Sequence, residues 1–92
     1  MNYNIERILW RDIYSAARWM SIEEAKIWAQ SQYEQKMETI GYVIYENHEF
    51  VVTAATVDPT NPVHPAFNDV SMIMKSVVLE RTILSTSPVN RT

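Results

Sequence analysis

His48 and His64 are the only histidines in the chain. With Asp58 and Asp69 they are the first set to weigh as a metal site or as groups that move protons near neutral pH. Their spacing matches no ligand motif, and both histidines read as exposed turn residues, His48 at the tip of a hairpin. Ser, His and Asp all occur, but no stretch forms a nucleophile elbow or an ordered triad. The one glycine, Gly41, cannot build a glycine-rich phosphate loop. Glu23 and Glu24 are neighbouring carboxylates, yet adjacent helix positions project about 100° apart, so they would not share a substrate. The absence of cysteine removes disulfides, Cys-based zinc sites and a Cys nucleophile, and fits a reducing compartment. The expectation is therefore a chain that is not an enzyme, with no catalytic residues, metal or cofactor.

Recognition is the better prospect. Eight of the ten aromatic residues precede residue 46, and Tyr and Trp are common at binding hot spots. Trp10, Trp19, Tyr42 and Tyr45 are the binding candidates from this half, with packing of a small core as the competing role. Trp10, Trp19 and Trp28 are nine apart, which is not a helical repeat. A second candidate surface is the stretch with His64, Phe67, Asn68 and Asp69, where Phe67 either anchors a loop on the core or touches a partner. Lys75 completes the set, as a cation that with Arg81 could meet phosphate while Trp or Tyr stacks on a base.

The elements that must position these residues can be read in part. Ser21-Ile22-Glu23-Glu24 is a capping box, in which the Ser21 hydroxyl accepts from the Glu24 N–H and Glu24 reaches back. It opens a helix over about 21–35, with Ile22, Ala25, Ala29 and Tyr33 on one stripe. Residues 4–18 fit a helix or a short strand equally well. Thr39–Tyr45 and Phe50–Val57 read as strands joined by a turn at Asn47-His48, since Asn and His tolerate φ > 0. Gly41 lies inside the first of them and is read as a bend that lets the strand curl into a barrel. Asp58–Asp69, with three prolines, reads as a long loop. Val70–Ile73 is a short strand, Lys75-Ser76 a break and Val77–Leu84 a last strand. The fold class is thus α+β, a strongly bent antiparallel sheet or an SH3/Sm-like barrel of four or five strands with one helix. Residues 1–84 make a single domain and 85–92 a flexible tail.

With 92 residues and a net charge of −3, the chain is long enough for one modest core. Its 47% apolar and 21% charged residues exclude disorder. No apolar run approaches a membrane span, and the N-terminus lacks the basic start and apolar stretch of a signal peptide, so a cytoplasmic location is expected. An acidic balance argues against nucleic acid as the main ligand.

Two resemblances add to this. The helix, the strand carrying Gly41, the hairpin into Phe50-Val51-Val52 and the run Met72-Ile73-Met74-Lys75-Ser76-Val77-Val78 resemble, in order, the Sm-like or Hfq-like small barrel. That likeness implies a ring and RNA binding. Met74-Lys75-Ser76 lacks the Tyr and His that flank the lysine in Hfq's uridine site, and the chain is acidic. Leu9-Trp10-Arg11-Asp12, Arg18-Trp19-Met20-Ser21-Ile22-Glu23-Glu24-Ala25, Ile40-Gly41-Tyr42-Val43-Ile44, Phe67-Asn68-Asp69-Val70 and Ile73-Met74-Lys75-Ser76-Val77-Val78 resemble a group of small uncharacterised proteins of tailed bacteriophages. Arg18 stands where that group has glycine and Met74 where it has proline. This likeness implies a strand at 8–13 and a phage or bacterial origin. The expected function is a non-enzymatic binding module that engages a host protein or self-assembles, in the cytoplasm of a bacterial host. The alternative is a homo-oligomer whose assembled pocket binds a nucleotide signal.

Overall fold

The structure, a computed structural model, describes residues 2–88. The elements run β1 (Asn2–Trp10), α1 (Ile22–Tyr33), β2 (Met37–Glu46), β3 (Phe50–Asp58), β4 (Ala66–Met74), η1 (Lys75–Val77, one 3-10 turn) and β5 (Val78–Pro88). The five strands form one antiparallel sheet in the order β4-β3-β2-β1-β5. The α+β class holds, with five strands and one helix.

The ambiguous N-terminal stretch is strand as far as Trp10, because it lies between β2 and β5 and both its edges are paired. Its alternate residues Glu6, Ile8 and Trp10 face one way. Ile8 meets Val51 of β3 and Ile73 of β4 in the core, with Trp10, Val43, Val77 and Val78 packed around it. Strands that are not neighbours therefore touch across the concave face. Tyr3 of β1 and Phe67 of β4 also meet edge to face, their ring centroids 5.5 Å apart, although two strands separate them in sheet order. The sheet is strongly bent.

It is not closed into a barrel, contrary to that expectation. The β2–β3 ladder ends at Tyr42 opposite Ala54, while β3 and β4 continue as a pair to Asp58 and Ala66. β4 and β5 remain the two edges of the sheet, joined in sequence by η1, whose Val77 carbonyl accepts from the Arg11 N–H just after β1 at 2.9 Å. Gly41 also lies against the neighbouring strand. A Cβ there would lie 2.9 Å from the Ala54 carbonyl oxygen, so glycine is needed for close approach of backbone to backbone.

Three local readings also shift. The β2–β3 turn contains no positive φ; Asn47 serves it through its side-chain oxygen, which accepts from the Glu49 and Phe50 N–H groups. The proline-rich loop ends at Pro65, so Phe67, Asn68 and Asp69 belong to β4. There the ladder skips Ala55 and Asp69, and Asp69 takes φ 54°, a conformation Asp tolerates better than most residues. The last strand runs past residue 84 to Pro88, its end pairing with Asn2–Ile5; the rest of the expected tail, 89–92, lies outside the described residues. No helix among the described residues is long and apolar enough to cross a membrane.

Candidate functional site

Two places in the molecule gather side chains capable of recognition. The first is an ion cluster on the concave face. Ile8 is opposite Arg81, which sets the guanidinium beside the carboxylate of Glu6. Arg81 Nε and Nη2 donate to the two Glu6 oxygens at 2.8 and 3.0 Å, and Nη1 and Nη2 donate to the two Glu46 oxygens at 3.0 Å each. Lys75 Nζ is 2.9 Å from Glu46 Oε2. Glu6 is only 4% exposed, and a buried carboxylate requires such a partner. Hydrogen bonds from Arg81 and then Lys75 hold the Glu46 carboxyl well below its ordinary range, at about 2. The hydrogen bonds that Arg81 donates to Glu46 and Glu6 raise its pKa above the ordinary value. Two cations and two anions thus tie η1, β1, β2 and β5 together, and each cation is already held by carboxylate.

The second place is the excursion from Arg11 to Lys36 that carries α1. Ser21 caps the helix as the sequence predicts, with the Glu24 N–H donating to Ser21 Oγ at 3.1 Å and the Ser21 N–H to Glu24 Oε1 at 3.3 Å. Yet no residue of α1 is buried. Its closest support is its own leading loop. Arg11 lies over the Tyr33 ring, 4.1 Å from the centroid, and donates from Nε to the Tyr33 carbonyl at 3.0 Å. Arg11, Tyr14, Trp28 and Tyr33 border an open cleft of about 220 Å³. The Tyr14 hydroxyl is enclosed there without a hydrogen-bond partner. Trp19, just before the cap, is 101% exposed.

A groove of about 150 Å³ lies between the start of this excursion and the sheet edge. Trp10, Ile13, Met72, Met74 and Val77 supply its apolar walls. It continues onto β4, where Val70, Met72 and Met74 alternate along the strand on one face and are all exposed.

The sequence-derived candidates therefore separate. Trp10 is half-buried at the rim of the core, and its indole N–H donates to Thr39 Oγ1 at 3.0 Å. Tyr42 is half-buried on β2. Tyr45 is exposed and packs beside Phe50, with centroids 6.0 Å apart. Phe67 is the anchor against Tyr3; Asn68 and Asp69 are exposed on β4, and His64 is exposed in the preceding loop. Lys75 is bound to Glu46. His48 and His64 lie beyond opposite ends of β3, about 30 Å apart along an extended strand of that length. No three His, Asp or Glu residues come together as metal ligands among the described residues.

Sequence reasoning missed Glu6 and Glu46, whose partner is fixed by a register joining residues 75 positions apart. It also missed Ile13, Met72 and Met74. For the methionines a signal existed, the alternation Val70-x-Met72-x-Met74. No family model, curated protein or solved structure matches this chain.

Proposed function

We propose that the chain is a small non-enzymatic binding module, of the phage or bacterial kind its sequence resembles, that acts through protein–protein contact in the cytoplasm of a bacterial host. One observation carries this reading: the surface is too large and too apolar for a chain that stays alone. The accessible surface is 6642 Å², whereas a compact monomer of 10.7 kDa exposes about 5,500 Å². The radius of gyration is 17.4 Å against about 12 Å for a compact domain of this length. The fully buried apolar residues among those described are Ile8, Val51, Ala54 and Ile73. Large apolar residues such as Ile13, Trp19, Ile22 and Ile27 are exposed, and exposed apolar patches mark interaction surfaces.

The ionisable groups support the same reading. Arg81, Glu6, Glu46 and Lys75 pair with one another, so both cations already have carboxylate partners. The test is to incubate the tagged chain with bacterial lysate and to measure its mass in solution by light scattering. The expected result is a retained protein partner or a mass above 10.7 kDa. A monomer that retains nothing overturns the proposal.

A further inference from the structure

We infer that the cleft between α1 and the loop leading into it binds a small aromatic carboxylate, with Arg11 on the acid group and Tyr14 and Trp28 against the ring. This goes beyond the protein contact proposed above and is tested apart from it. Arg11, Asp12 and Tyr14 follow β1 and form one wall of the cleft, and Trp28 and Tyr33 of α1 belong to the other. The space of about 220 Å³ lies below the roughly 300–1,000 Å³ of drug-sized pockets. It suits one ring with a short polar group.

Two groups in this cleft lack the partners their chemistry asks for. The Tyr14 hydroxyl is enclosed and makes no hydrogen bond, whereas the large majority of buried polar side-chain atoms are paired. The Arg11 guanidinium lies on the Tyr33 ring and donates from Nε to the Tyr33 carbonyl. Its terminal nitrogens have no hydrogen-bond or ion-pair partner among the described residues. Arg7 and Arg81, by contrast, are each bound to glutamate. A guanidinium fixed by its Nε and one face keeps planar N–H donors that match a carboxylate. The surrounding charges select among anions. Asp12 also borders the cleft, its Oδ1 accepting from the Ile13 N–H. One cation beside one carboxylate suits a monoanion. The second charge of a phosphate would face Asp12 with no second cation in the lining, an arrangement that Coulomb repulsion disfavours. The flat walls decide the rest of the ligand, since Trp28 and the Tyr14 ring favour an aromatic partner by stacked or edge-to-face contact. An oxygen of its acid group would give the Tyr14 hydroxyl the acceptor it lacks.

The test is a titration of the isotope-labelled full chain with benzoate, followed by NMR at the indole N–H signals. The Trp28 signal, identified as the one that Trp28→Phe removes, should shift and saturate with a dissociation constant of about 1 mM. Benzyl alcohol has the ring without the charge, and inorganic phosphate has charge without the ring. Each should bind about tenfold more weakly or less. Tyr14→Phe removes one hydroxyl and keeps the ring, and it should weaken benzoate about fivefold. Arg11→Gln should weaken it about tenfold or more. If that variant also loses the helical circular dichroism, the result for Tyr14→Phe decides. A Trp28 signal that never shifts with benzoate overturns the inference. So does equal affinity for benzyl alcohol or phosphate. Undiminished affinity in Tyr14→Phe overturns it as well, since the hydroxyl would then meet water alone.

Discussion

On the sheet, Ile8, Val51 and Ile73 come from three different strands and meet with almost no exposed area, whereas helix α1 has no buried residue at all. The sheet is specified by long-range pairings, each strand fixed by its neighbour and the concave face by an ion cluster. The helix is specified locally, by Ser21, Glu24 and a run of good helix formers. Local specification is enough to start and shape a helix but supplies no surface to hold it. The sheet thus has its own reasons to be stable, while α1 has only its cap and its contact with Arg11.

Four experiments probe that contrast. The largest effect should come from Ile8→Ala, which opens a cavity where three strands meet and should cost about 4 kcal/mol, read as loss of the cooperative urea transition. A helix-only variant that cost as much would break the contrast. Arg81→Met should come next. It leaves the Glu6 carboxylate buried without its partner, and losing one member of a buried pair costs about 3 kcal/mol. Glu6→Met combined with Arg81→Met should recover most of that in a urea titration, and no recovery would mean the cluster does not hold the sheet.

Acid should act on the same cluster more gently. Glu46 is held at about 2 against an ordinary 4.5, so its contribution is complete above pH 4.5 and is lost as pH falls toward 2. Solvent screening of this partly exposed carboxylate limits the loss to about 1 kcal/mol. Glu46→Gln should flatten the pH dependence of the urea midpoint in that window. The smallest effect on the sheet belongs to Ser21→Ala. It should destabilise the helix by about 1 kcal/mol, lowering the helical circular dichroism without moving the urea midpoint of the sheet. A midpoint that moved with it would show that helix and sheet unfold as one unit.

What the sequence disclosed follows the same division. The capping box placed α1 within a residue or two of its observed ends, and the break at Lys75-Ser76 is the turn η1. Those signals are local. Residues 4–18 fit both states, because Ile5, Ile8, Leu9 and Ile13 follow helical spacing while Ile8, Leu9, Trp10 and Ile13 read equally as a short strand, until β2 and β5 are present to pair with Asn2–Trp10. Gly41 stands out in the sequence as the one glycine, but the Ala54 carbonyl that crowds it belongs to another strand and leaves no local signal. The prolines at 59, 62 and 65 hid the true start of β4 just beyond them. Among the site residues, Trp19 is exposed, whereas Lys75 lies beside Glu46, a neighbour that no local signal discloses.

The pairing of Glu6 with Arg81 has a further consequence during synthesis. The two lie 75 residues apart, and β1 meets β5 only after almost the whole chain exists. At common rates of translation that separation takes about 4–15 s to make. Through that interval β1 can pair with β2 alone, and the Glu6 carboxylate has no guanidinium to meet. The β1–β5 ladder is therefore the last pairing of the sheet that synthesis makes possible.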